Sequence, residues 1–90
     1  MGIHKSEIQK VRSRIREFED RKISASQLHR DITDVARLIN ANEESELRRT
    51  IERVGARVGV LAEQSLSRPV HSDVLKLVDD LEANLVNWGY

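Results

Sequence analysis

Ninety residues make one domain, near the lower end of what folds without covalent staples. There is no cysteine, which excludes disulfides and thiolate metal sites and suits a reducing compartment. Fifteen basic and fifteen acidic residues cancel, so no overall field draws the chain to nucleic acid or anionic lipid.

The first ten residues are polar and mixed in charge, unlike a signal peptide, and no run approaches the roughly 18 apolar residues of a membrane span. A cytoplasmic protein is the expectation. One proline, four glycines and a single residue each of Trp, Tyr and Phe favour long helices with aliphatic seams over a β fold.

The first predicted helix covers about 6–21. Ser6 and Gln9 have capping-box spacing, and Ile8, Val11, Ile15 and Phe18 recur in steps of three and four. The second covers about 25–39 and carries the clearest signals. Ser24 and Gln27 form a second capping box, in which the serine hydroxyl takes the Gln27 N–H and the Gln27 side chain reaches back to the Ser24 N–H. Ile23 and Leu28 flank it as a hydrophobic staple. Its seam is Leu28, Ile32, Val35 and Ile39.

A short Asn-Ala-Asn connection leads to a third helix over about 43–64, opened by Glu43 and Glu44, with the seam Leu47, Ile51, Val54, Val58 and Leu61. Gly55 and Gly59 lie four apart inside it, each costing about 1 kcal/mol of helix propensity relative to alanine. Two readings stay open for them: a close approach of a neighbouring backbone, or a locally weak helix. Ser67-Arg68-Pro69 breaks the pattern. Ser72 and Asp73 then suit the cap and acidic first turn of a fourth helix, about 73–88, with Val74, Val78, Leu81, Leu85 and Trp88 as seam and Leu77 and Val86 widening it.

Four such seams joined by short connections predict an all-α, antiparallel up-and-down four-helix bundle occupying residues 1–90 as one domain. Charge supports that order. Residues 1–30 carry a net +4, residues 31–47 a net −4, residues 48–70 a net +3 and residues 71–90 a net −3. In a square bundle every neighbouring pair of helices then joins opposite signs, which disfavours exchanged neighbours.

Chemistry-bearing patterns are scarce. His4, His29 and His71 are separated too widely for a metal-binding pair on one helix, so no metal or cofactor is expected. No phosphate-cradling glycine loop or nucleophile elbow occurs. Arg48, Arg53 and Arg57 fall at the flank of the third seam or outside it, which argues against an interhelical site for an anionic substrate and against an enzyme. The basic set Lys5, Lys10, Arg12, Arg14, Arg16, Arg21 and Lys22 spreads around the first helix without aromatics for base stacking, and reads as a solvated face. Two acidic sets remain: Asp31, Asp34, Glu43, Glu44 and Glu46, then Asp73, Asp79, Asp80 and Glu82. They either pair with neighbouring helices or present a phosphate-like surface to a basic protein.

The run Ile15-Arg16-Glu17-Phe18-Glu19-Asp20-Arg21-Lys22-Ile23-Ser24-Ala25-Ser26-Gln27-Leu28 resembles a feature of small helical-bundle bacterial immunity proteins, the kind related to the colicin D immunity protein and to immunity proteins of contact-dependent growth inhibition. In that class the first helix commonly ends in an aromatic, then a short basic or glycine turn, then Ile-Ser-Ala opening the second helix. Phe18, Lys22, Ile23, Ser24, Ala25 and Leu28 stand at those positions. The likeness covers about fifteen residues, and the neutral balance of this chain departs from the acidic balance usual for such inhibitors.

The resemblance implies a non-catalytic inhibitor of a cognate toxin, often a nuclease, with no small-molecule substrate and no direct contact to nucleic acid or membrane. Its binding face would draw on Asp31, Asp34, Glu43, Glu44 and Glu46, or on Asp79 and Asp80, with Tyr90 as a large side chain outside the seams. Two other readings compete. One is a self-associating helical scaffold or regulatory module, a homodimer included, that uses Gly55 and Gly59 or the surplus apolar residues Leu38, Val60 and Leu77. The other, weaker, is an RNA-binding bundle using helix one.

Overall fold

A computed structural model describes residues 5–39 and 45–90. Among them the elements are α1 (Lys5–Glu19), α2 (Ala25–Leu38), α3 (Ser45–Gln64) and α4 (His71–Asn87), and there is no strand. Neighbours in space are α1–α2, α2–α3, α3–α4 and α4–α1, so α1 and α3 sit on one diagonal of an up-and-down bundle. The α2–α3 contact is the most extensive.

Three seams are buried as the periodicity requires. Ile8, Val11, Ile15 and Phe18 of α1, Leu28, Ile32, Val35 and Ile39 at α2, and Val74, Val78, Leu81 and Leu85 of α4 all lie in the core. Trp88 and Leu77 are half-buried against it, whereas Val86 is exposed and does not widen the fourth seam.

The third seam is rotated from expectation. Leu47, Ile51 and Val58 are buried, but Val54 and Leu61 are only half-buried, and Gly55 and Ala62 occupy the inner face instead. The glycines explain the rotation. A Cβ on Gly55 would stand 3.1 Å from Cγ2 of Ile32, and one on Gly59 would stand 2.7 Å from Cε1 of His29. Both positions therefore serve close approach of α2 within the chain.

Helix ends follow tertiary placement more than local pattern. Ser24 caps α2 as predicted, its hydroxyl accepting from the Gln27 N–H at 3.1 Å. Only half of the capping box forms, because the Gln27 side chain donates forward to Asp31 at 3.0 Å. Ser6 and Ser72 are not caps: each lies inside its helix. The N-cap of α4 is Val70, whose buried side chain anchors the chain as it enters the helix, and no side chain bonds the first turn there. The acidic opening expected of α3 at Glu43 and Glu44 lies outside the described residues.

α1 stops at Glu19, two residues early, because Arg21 takes a left-handed conformation at φ 60°. The Lys22 N–H then bonds the Glu17 carbonyl at 2.8 Å and the Arg21 N–H bonds that of Phe18 at 3.0 Å, the Schellman pattern. α4 ends in the same way. Gly89 at φ 89° lets the Tyr90 N–H reach the Leu85 carbonyl at 2.9 Å and the Gly89 N–H reach that of Val86 at 3.0 Å.

Candidate functional site

No polar or charged residue is buried among the described residues, and no group of three His, Cys, Asp or Glu there is placed to hold a metal ion. No helix among them is long and apolar enough to cross a membrane. What the bundle offers is surface, and its quality depends on which charges are already used.

The opposite-sign pattern is realised around α1. Arg14 Nε stands 3.4 Å from Asp31 of α2, and Arg12 Nε stands 3.7 Å from Glu82 of α4. Arg12 also donates to the Tyr90 carbonyl at 2.8 Å, closing the C-terminal turn of α4 onto α1. Glu17, by its hydrogen bond and its charge, and then Asp31 hold the Arg14 guanidinium above its ordinary pKa. Glu82 behaves oppositely to an ordinary ion-paired acid. Burial raises its pKa, and the attraction of Arg12 only partly offsets that. Around α3 no such pair between helices forms among the described residues. Arg49, Arg53 and Arg57 are exposed at steps of four, and none forms an ion pair with a carboxylate among the described residues.

These pairings sort the acidic residues. Asp31 is half-buried and engaged by both Arg14 and Gln27, so it belongs to the α1–α2 contact and does not form a free acidic face. Asp34 points to solvent, loosely paired with Arg37 at 4.0 Å. Glu46, Asp79 and Asp80 are exposed, and none makes an ion pair or hydrogen bond among the described residues. Asp73 is held by Arg68 at 2.7 Å. Glu43 and Glu44 lie outside the described residues. Tyr90 packs half-buried against the core with its carbonyl on Arg12, so it lacks the freedom of a projecting anchor.

Exposed large apolar residues mark where a partner could add burial. Leu38 is 57% exposed at the end of α2, one turn beyond Asp34, and Glu46 lies in the first turn of α3 at that same end of the bundle. Val60 is 56% exposed on α3. It forms the ridge between two open grooves. The larger, about 560 Å³, runs between α2 and α3 past His29, Arg30 and Glu63. The other, about 410 Å³, lies between α3 and α4 with Leu61 and Leu77 as apolar floor and Val60, Arg57, Lys76, Asp73 and Asp80 as rim.

His29 belongs to the α2–α3 contact. Its Nδ1 stands 2.6 Å from the Gly55 carbonyl, so Nδ1 carries the proton and donates. That fixes the ring over Gly59, and the sequence alone offered no signal for this use of the histidine. Toward the same end of the bundle His71 stacks on Phe18, with centroids 4.6 Å apart. Comparison with protein-family models, curated proteins and solved structures finds no match.

Proposed function

We propose that the chain is a non-catalytic inhibitor of the immunity type, which docks on a cognate toxin and covers a basic cleft, with a nuclease as the class of toxin that the resemblance implies. The observation that carries this reading is the α2–α3 end of the bundle, where Leu38 stands exposed beside Asp34, with Glu46 opening the next helix. An isolated leucine on water is ordinary. One with Asp34 a turn before it on the same helix face sets an apolar contact beside a charge, as the centre and rim of a binding surface do.

Burying the exposed half of Leu38 contributes on the order of 1 kcal/mol. The carboxylates add speed of encounter and choice of partner more than affinity. Asp31 keeps the bundle together and takes no direct part, and Asp79 on the outer side of α4 is a second acidic region away from the anchor.

The test uses the product of a neighbouring toxin gene, purified and assayed on its own substrate. Stoichiometric addition of this protein abolishes the activity. Leu38→Asp, and Asp34→Lys combined with Glu46→Lys, each restore it while far-UV circular dichroism stays unchanged. Full inhibition by both folded variants would place the binding face elsewhere.

A further inference from the structure

The α3–α4 groove has a property that the inhibitor reading does not use. Its floor is apolar and its rim carries both signs: the α3 bank contributes Arg57, and the α4 bank contributes Asp73, Asp80 and Lys76, a net negative charge. Arg57 is on α3 and Asp80 on α4, both lining the same cavity of about 410 Å³. Neither makes an ion pair or hydrogen bond among the described residues. The two helices run antiparallel. One turn from Arg57 toward their connection lies Val60, and one turn from Asp80 toward it lies Leu77. Arg57 and Val60 of α3 and Leu77 and Asp80 of α4 all line this one cavity, so the two banks overlap along the groove.

We propose that this face binds a second copy of the chain about a twofold axis running along the groove. Such an axis carries α3 of one copy over α4 of the other at the same level. Arg57 then faces Asp80 of the second copy twice, and Val60 packs on Leu77 of the second copy twice. A twofold axis across the groove would instead set α3 on α3 and bring the arginines Arg49, Arg53 and Arg57 against like charges. The pairing of Arg57 with Asp80 favours the first arrangement.

The area fits a weak dimer. Two helices about 25 Å long and about 10 Å wide each present roughly 500 Å² per copy, or about 1,000 Å² in all, the lower edge of a specific interface. Association is therefore expected at micromolar concentration and to weaken as salt screens the rim. The proposal is independent of the inhibitor reading, since the groove shares no residue with Leu38, Asp34 or Glu46.

Sedimentation equilibrium over a concentration series tests it. The wild-type chain moves from one to two chain masses across the micromolar range. Arg57→Asp and Asp80→Arg each raise the dissociation constant about tenfold or more, and Val60→Ser weakens the dimer as well. The double reversal, Arg57→Asp with Asp80→Arg, returns it to within about threefold of wild type, because each interface again pairs opposite signs. All three positions are at the surface, and helix content is read alongside. A monomer at every concentration, a dimer indifferent to the single reversals, or a double reversal that fails to recover overturns the proposal.

Discussion

The imidazole of His29 lies so close over Gly59 that a methyl group there would stand 2.7 Å from the ring. A hydrogen bond at 2.6 Å to the Gly55 carbonyl holds the ring in place. Two glycines that weaken α3 as a helix are what allow a histidine of α2 to dock on the α3 backbone. Gly59→Ala gains about 1 kcal/mol of helix propensity but displaces the ring and forfeits its hydrogen bond, a loss of about 0.5–1.5 kcal/mol. Its net effect in the wild-type chain is therefore within about 0.5 kcal/mol of zero. In the His29→Ala chain the same change is stabilising by about 1 kcal/mol. Urea unfolding of the four proteins measures the coupling, and additive effects would show that the ring does not depend on the glycine.

Arg21 occupies the left-handed position that ends α1, where Gly89 ends α4 with the same hydrogen bonds. A side chain there costs about 1–2 kcal/mol that glycine avoids, partly offset by the freedom glycine gains in the unfolded chain. Arg21→Gly is expected to stabilise the bundle by about 0.5–1 kcal/mol, and Gly89→Ala to destabilise it by about 1 kcal/mol. Thermal melts of the pair check both signs.

Glu82 sets a pH dependence of its own. Its folded pKa lies above the ordinary value, so the folded state holds that proton more tightly than the unfolded chain does. Ionisation of this group therefore costs stability, fully so above the folded pKa, and the cost disappears as pH falls below about 4, the ordinary range of the acid. Glu82→Gln is more stable than wild type at pH 7, and the difference shrinks to nothing in acid. A difference that grows as pH falls would contradict the account.

Asp31 and Asp34 are three residues apart and have different work. Asp31→Asn removes the charge facing Arg14 but keeps an acceptor for Gln27, and should lower the melting temperature by a few degrees at most while leaving toxin inhibition intact. Asp34→Lys, at a position open to solvent, should leave the melting temperature unchanged and slow association with the toxin.

Much of the fold was legible because apolar spacing is a direct image of burial on α1, α2 and α4. The α3 seam was misread in part because periodicity counts side chains, and the closest contact of α3 is made by two residues that have none. Ser6 and Ser72 carry capping spacing, yet a helix begins where the chain is anchored, as at Val70, and that depends on the core. Net charge by segment gave the order of the helices. It could not say that Arg14 reaches Asp31 while Arg57 reaches no carboxylate among the described residues, since those are matters of side-chain length and level across helices. The candidate surfaces were legible only as a surplus: Leu38 and Val60 were apolar residues with no evident place in the core.

Co-expression is the most direct measurement of the central claim. Cells producing the neighbouring toxin grow when they also make this protein, and grow equally well with Asp31→Asn. Protection is lost with the triple change Leu38→Asp, Asp34→Lys and Glu46→Lys, although that protein accumulates to the wild-type level. Full protection by the triple variant, or none by the wild-type chain, would contradict an inhibitor that works through the α2–α3 end of the bundle.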